Sequence, residues 1–250
     1  MAVITVSRQL GSHGARIART LAKELGYVLV DKGVINRVIR QYGLTQLNTI
    51  YDKKPKFWHL FDENRVLTIQ MMNETIAAVA ARGDVVILGR GGFRVLNDMV
   101  DVVNVFVKAP DDVRASRIAK RDSISVEEAA DVITEDDELR SRFTRLFYSA
   151  DWADESLFDL VIDTGVDSDD AAVAEIVAAV KALPAVAADD RAAAHLEVDA
   201  VLSRTIDEEL ARRGAKVAAA PVAAEPSVEE PVAEAPAPVA PVVGDAPSAE

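Results

Sequence analysis

Apolar residues in this chain gather into short unbroken runs, separated by stretches in which they recur every three or four positions. The runs are Val3-Ile4-Thr5-Val6, Tyr27-Val28-Leu29-Val30, Val85-Val86-Ile87-Leu88, Val102 to Val107 and Leu160-Val161-Ile162. All are rich in β-branched residues and lack polar alternation, the composition of strands buried on both faces. Between them lie helical periods: Ile17, Leu21 and Leu25, then Val34, Ile35, Val38 and Ile39, then Leu67, Met71, Ile76 and Val79. That spacing places each set on one helix face. Gly26 ends the first helix where a positive φ is wanted, and the second stops near Gly43.

Further along, Asp111 and Asp112 are placed to cap a helix that carries Arg114, Arg117 and Arg121. Ser125-Val126-Glu127-Glu128 has the form of a capping box and opens a helix extending to about Tyr148. Asp167 or Ser168 caps the next helix, which Pro184 stops. Strands alternating with helices at this spacing predict an α/β fold, a three-layer parallel sheet with helices on both faces. One more amphipathic helix is predicted over 190–213, with Leu196, Val198, Val201, Leu202, Ile206 and Leu210 on its apolar side.

Two stretches break the pattern. Residues 44–62 hold Pro55 and the aromatics Tyr51, Phe57, Trp58 and Phe61, and read as a cap segment packed over the core. After Gly214 the composition shifts: seven of the ten prolines lie between Pro221 and Pro247, among Ala, Val and Glu. Such a segment cannot bury a core and is predicted to be disordered. The expected organisation is a domain over 1–184, a C-terminal helix within 185–214 and a tail over 215–250.

Composition narrows the classes. The chain has no cysteine, which excludes disulfides, thiolate metal sites and a cysteine nucleophile. No run approaches the ~20 apolar residues of a membrane span, and the first strand follows Met1 with no basic, apolar leader. A soluble cytoplasmic protein is expected. Net charge is −13, which argues against non-specific nucleic-acid binding. From Val217 onward six acidic and no basic residues hold nearly half of that excess.

The chemistry-bearing residues fall at strand ends. Ligands of open parallel sheets bind beyond the carboxyl ends of the strands, which puts Ser7–Gly14, Asp31, Gly89–Gly92 and Asp163 on one rim. A strand, a glycine turn and a helix together make a phosphate-holding unit, because backbone N–H groups and the helix dipole converge there. The usual form is G-x-x-x-x-G-K-[ST], and this chain departs from it. Gly11 and Ser12 match the middle of the loop. Arg8 stands at the first glycine, Gly14 at the lysine and Ala15 at the magnesium-binding hydroxyl. Arg8 or Arg16 is the candidate replacement for the charge, with Arg8 favoured, and Ser12 for the hydroxyl. His13 offers its backbone N–H. An ordinary βα turn shares this outline. His59 and His195 have no neighbours at metal-ligand spacing, so no metal site of side chains is predicted.

Over residues 3–183 these pieces resemble the cytidylate kinase-like family, a branch of the P-loop nucleoside monophosphate kinases. SRQLGSHG and LAKELGY are similar to its phosphate loop and the end of its first helix. DKGVINR, Asp31 to Arg37, resembles the segment D-T-G-x-x-x-R that faces the acceptor nucleotide. ILGRGG resembles the turn whose arginine reaches the acceptor phosphate. DDELRSR, Asp136 to Arg142, is similar to the arginine-bearing lid segment, and VIDTGVDSDDA to the closing stretch.

The resemblance implies transfer of the γ-phosphoryl of ATP, with Mg2+, to a pyrimidine nucleotide such as CMP. It implies a lid region over 111–148, with Arg117, Arg121, Arg140 and Arg142 gathering on the transferred group. Arg8, Gly11, Ser12, His13, Gly14, Ala15 and Arg16 would hold the donor; Asp31, Arg37, Gly89, Arg90 and Asp163 would hold the acceptor. Small-molecule nucleotides are therefore the expected partners, with helix 185–214 and the tail as candidate contacts for a protein. The missing lysine favours a rival reading, a non-catalytic nucleotide-binding regulatory or assembly protein. The arginine set favours the transferase, since charged forks on a lid suit phosphoryl transfer.

Overall fold

Alternate residues of each apolar run face opposite sides of a single parallel sheet. In the computed structural model, which describes residues 1–41 and 63–217, its strands are β1 (Val3–Arg8), β2 (Val28–Val30), β3 (Val85–Leu88), β4 (Val102–Lys108) and β5 (Leu160–Asp163). They lie in the order β2-β3-β1-β4-β5, all parallel. β1 is central, with Val3 opposite Val85 on one side and Val102 on the other. Val3, Val85 and Ile87 face one cluster of buried residues, and Ile4, Val6, Val86 and Leu88 the other.

Helices cover both faces, as the sequence pattern predicts. α1 (Gly14–Leu25) and α7 (Asp169–Lys181) bury Ile17, Leu21, Val173 and Ile176 against one face. On the other, α2 (Lys32–Gln41) and α3 (Glu63–Ala80) bury Val34, Ile35, Met72 and Ile76. A short helix, α4 (Gly92–Val95), follows β3. Thr5 and Asn104 are register partners on β1 and β4, and the Thr5 hydroxyl donates to Asn104 Oδ1 at 2.6 Å inside the core. A buried hydroxyl and amide thereby satisfy each other.

α5 (Asp111–Asp122) and α6 (Val126–Tyr148) pack together through Ala115, Ile118, Ala129 and Ile133. The capping box at Ser125 forms: Glu128 N donates to Ser125 Oγ and Ser125 N to Glu128 Oε2. Ser168 caps α7 through Ala171 N. Asp111 does not cap α5. It lies in the first turn after Pro110 and pairs with Arg114.

The C-terminal helix begins later than its apolar period suggests. A 3-10 turn occupies Ala193–His195, and α8 runs over Ala200–Val217. Carboxylates fix both elements: Asp101 accepts from Ala193 N and Ala194 N at 2.6 and 3.0 Å, and Asp199 from Val201 N and Leu202 N at 2.9 Å. Asp101 thus holds the 3-10 turn apart from the helix, and Asp199 sets the helix start as its N-cap. α8 puts Leu202 and Ile206 into the same cluster as α2 and α3, so that part of its apolar face is already covered. The chain divides after Ala219. The predicted cap segment 44–62 and tail 215–250 lie almost wholly outside the described residues. Among the described residues no helix is long and apolar enough to cross a membrane.

Candidate functional site

The turn after β1 is fixed by backbone bonds at one end and by left-handed residues at the other. Gln9 N donates to Val107 O at 3.0 Å, keeping the chain in the sheet one residue past β1. Gly11 then takes φ +82, and His13 takes φ 63 at the N-cap of α1, where no side chain caps the helix. Histidine is among the residues that tolerate this left-handed conformation. An uncapped helix start presents N–H groups and the positive dipole end to an anion.

The carbonyl side of the turn is held by two arginines of α5. Arg114, 1% exposed, donates to Leu10 O at 3.3 Å and forks onto Asp137 at 2.7 and 3.2 Å. Burial opposes its charge, but Asp137 and Asp111 more than offset that and hold its pKa above the ordinary value. Arg117 donates to Gly11 O at 3.1 Å, to Thr164 Oγ1 at 2.9 Å and to Thr164 O at 2.7 Å. The carbonyls of Leu10 and Gly11 are thus engaged from the α5 side.

Beside the turn lies a cleft of about 230 Å³, bounded by the ends of β1 and β3, by α2 and by α6. Arg8, Lys32, Arg90 and Arg140 line it, with Asp136 as the carboxylate among its lining residues. Phe93, Phe143 and Trp152 supply apolar wall. Trp152 meets Phe106 edge-on, and Phe106 stacks on Phe158, which stacks on Phe93. Arg140 pairs with Asp136 one turn away.

Arg90 occupies a strained position. Gly89, Arg90 and Gly91 have φ of 73, 62 and 74, and only the glycines adopt such values without a Cβ penalty. Its guanidinium donates to Asn36 Oδ1 at 3.3 Å. Gly91 cannot carry a side chain, because a Cβ there would overlap the Tyr148 ring, whose hydroxyl donates to Asn73 at 2.8 Å. Side chains held in sparsely populated backbone states cluster at functional sites.

The structure brings together Arg8, Gly89, Arg90 and Arg140 in the cleft, and Gly11, Ser12, His13, Gly14 and Ala15 in the turn. Arg117 touches the turn from behind and does not line the cleft. The other predicted residues are placed elsewhere. Arg16 pairs with Asp169 and lies 2.7 Å from His13 Nδ1, between α1 and α7. Arg37 is held by the buried carboxylate of Glu209 at 2.5 Å, which ties α2 to α8. Arg121 turns to its neighbour Asp122, and Arg142 is half-buried on α6 outside the cleft lining. Asp31 caps α2 through Val34 N, and Asp163 forms a local turn with Gly165 N at 2.8 Å. Ser12 is fully buried and donates to Gln9 O at 2.9 Å, so its hydroxyl does not stand in for the missing one at Ala15.

Lys32 and Asp136 also line the cleft, and Arg114 and Thr164 hold the turn; the sequence reading assigned none of them to the site. Lys32 adjoins Asp31 at a strand end, and Arg114 is one turn before Arg117; those placements were their available signals. His13 faces Asp169 at 3.1 Å. Its pKa is lowered by burial and by Arg117, against the opposing pull of Asp169. Among the described residues no group of three His, Cys, Asp or Glu side chains is placed to hold a metal ion.

The profile of the cytidylate kinase-like family matches residues 3–166. The cytidylate kinase of Ignicoccus hospitalis is 35% identical over 179 residues, spanning 70% of this chain and 97% of its own length. That of Pyrococcus abyssi is 35% identical over 183 residues, 71% of this chain and 93% of its own. A solved structure of an uncharacterised protein from Eubacterium ventriosum superposes with a TM-score of 0.58 at 18% identity, covering 73% of this chain and 99% of that one. That last likeness speaks for the fold alone. The profile match begins at the first residue of β1 and ends past β5, taking in the glycine turn, the cleft and both arginine-bearing helices, and the chain therefore belongs to the cytidylate kinase-like family.

Proposed function

We propose that this protein is a nucleoside monophosphate kinase-like phosphotransferase, moving the γ-phosphoryl of ATP to a pyrimidine nucleoside monophosphate such as CMP. The observation that carries the reading is charge placement. A chain of net charge −13 gathers Arg8, Lys32, Arg90 and Arg140 around one cleft, beside an uncapped helix start. Such a concentration of cations against the overall charge fits a polyanionic ligand.

In this reading the N–H groups of the turn hold the donor phosphates. Arg90, at the end of β3, takes the acceptor phosphate, and Arg140 from α6 meets the transferred group. An acceptor phosphate oxygen attacks the γ-phosphorus as the bond to the β–γ bridging oxygen breaks, giving ADP and a nucleoside diphosphate. The nucleophile is already anionic, so no general base is required. Catalysis is alignment and neutralisation of spreading negative charge. Planar guanidinium forks match phosphate oxygens in pairs.

Ala15 has no hydroxyl, Ser12 is buried, and no acidic trio is present among the described residues, which does not fit a resident magnesium held by side chains. Mg2+ would enter here as part of the substrate, MgATP, and would supply charge neutralisation on its phosphates.

A specific observation favours the rival, non-catalytic reading: Gly14 stands where the phosphate-bridging lysine is expected. Incubating the purified protein with MgATP and each nucleoside monophosphate in turn, and following diphosphate formation by chromatography, decides between them. Formation of CDP or UDP above the rate without acceptor is expected. ATP binding with no transfer to any monophosphate would establish the non-catalytic alternative.

A further inference from the structure

We infer that Arg8 supplies, from the first position of the loop, the cation that bridges the donor's terminal phosphates, and that Gly14 is glycine because Arg8 fills the space above it. The inference rests on the phosphotransferase reading and deepens it. It concerns two loop positions that both depart from the usual form.

The two departures are coupled sterically. A Cβ built on Gly14 would overlap Arg8 Cβ, with Arg8 Cγ at 3.1 Å and Val107 Cβ at 3.2 Å. The obstruction is the root of the Arg8 side chain and a sheet residue, neither of which can swing aside as a flexible tip would. A lysine at 14 and an arginine at 8 therefore exclude each other. In the G-x-x-x-x-G-K-[ST] loop the same two positions hold glycine and lysine. This chain has the cation and the small residue exchanged between the ends of the turn.

The far end of Arg8 is where a bridging charge is needed. A Cβ on Gly89 would overlap Arg8 Nη1, with Cζ 3.5 Å away, so the guanidinium lies across the glycine at the end of β3. It lines the cleft together with Arg90 and Arg140. Gly14 and Gly89 thus admit the two halves of one side chain, its stem and its head. The competing cation, Arg16, faces away: it pairs with Asp169 and is absent from the cleft lining. A guanidinium contacts phosphate through two parallel N–H donors where an ammonium acts as a point charge, so the exchange alters how the terminal phosphates are gripped without removing the grip.

The test is titration of ATP and of AMP, by calorimetry, into the wild-type protein and into Arg8→Ala, Arg8→Gly, Gly14→Lys and the double variant Arg8→Gly/Gly14→Lys. Circular dichroism and melting temperature accompany each. Loss of one charge-assisted phosphate contact is expected to weaken ATP binding in Arg8→Ala by about ten- to a hundred-fold, with AMP changed by less than about three-fold. Gly14→Lys alone is expected to lower the melting temperature. The double variant is expected to regain ATP affinity over Arg8→Gly. Should Arg8→Ala fail to fold, Arg8→Gln keeps the stem over Gly14 and gives the same reading. Equal losses for ATP and AMP, no loss in either arginine variant, or a double variant no better than Arg8→Gly would each overturn the inference while leaving a nucleotide-binding wild type in place. A wild-type protein that binds no ATP would remove the phosphotransferase reading and this inference with it.

Discussion

Arg117 and Thr164 form a clamp across the sheet rim: the guanidinium reaches both the hydroxyl and the carbonyl of Thr164, at 2.9 and 2.7 Å. The same two residues hold the glycine turn, Arg117 through Gly11 O at 3.1 Å and Thr164 through Ser12 O at 2.9 Å. The turn after β1 is therefore fixed through its carbonyls to the end of β5. Arg117→Ala is expected to cost about 1.5–3 kcal/mol of stability, the range for hydrogen bonds to charged groups, and Thr164→Val about 1 kcal/mol. Denaturation midpoints of both single variants and the double variant check this. If the two effects simply add, with a coupling below about 0.5 kcal/mol, the clamp is not an energetic unit.

Arg90 offers a case in which binding and stability separate. Its φ of 62 is costly for a residue with a Cβ and costs glycine little. Arg90→Gly is expected to leave the melting temperature unchanged or raise it slightly, a relief of about 1 kcal/mol. The same substitution removes the guanidinium from the cleft, so affinity for a nucleoside monophosphate is expected to fall about ten-fold or more. Thermal melting and calorimetry on one sample read both outcomes. An unfolded Arg90→Gly protein would make the residue structural.

The two parts of the C-terminal region are expected to respond differently to removal. Deleting 220–250 is predicted to leave the melting temperature within a degree or two, since that stretch is proline-dense and lacks an apolar period. Deleting from 200 onward removes Leu202 and Ile206 from the core and Glu209 from Arg37. Ile206→Ala alone is expected to cost about 2–5 kcal/mol, as buried large-to-small substitutions do. A shift of several degrees on removing 220–250 would show that those residues dock.

His13 predicts a pH dependence of definite sign. Its pKa is lowered from 6.5, by burial first and by Arg117 next, so the folded protein resists protonating it. A histidine depressed in this way contributes its full stability above the unfolded value of about 6.5, and loses that contribution as pH falls through the lower folded value. His13→Asn keeps a residue tolerant of positive φ and removes the titration. Melting temperatures from pH 7.5 to pH 5 are expected to fall more steeply for the wild type than for His13→Asn. Parallel curves would show that His13 is not a source of that slope.

Local patterns made the sheet legible. Five β-branched runs became five strands, and helix caps at Gly26, Ser125 and Ser168 fell where turn chemistry placed them. The start of α8 had a local signal in its cap, Asp199, but the separate 3-10 turn before it was not legible, because Asp101 lies nearly a hundred residues away along the chain from the N–H groups it claims. The site divides along the same line. Strand ends located Arg8, Gly89 and Arg90 without help from the fold, since the rim of a parallel sheet is set by topology. The arginines of α5 could not be ranked from spacing: Arg114 and Arg117 turn inward to the glycine turn, while Arg121 ends beside Asp122. Arg37 has the sequence setting of a phosphate ligand, but its partner is Glu209, 172 residues later in the chain.

The central place of β1 also sets an order of events during synthesis. β1 ends at Arg8, and its two neighbours begin at Val85 and Val102. At about 5–20 residues per second, the ribosome delivers the first of these roughly 4–16 seconds after β1 itself. Through that interval Val3, Ile4 and Val6 have neither ladder partner in existence, and only helices made in the meantime, α1 on one face and α2 and α3 on the other, are available to shield them. The strand that ends in the glycine turn is thus made first and paired late, which marks the nascent chain between residues 8 and 102 as the stage at which a chaperone would have most to hold.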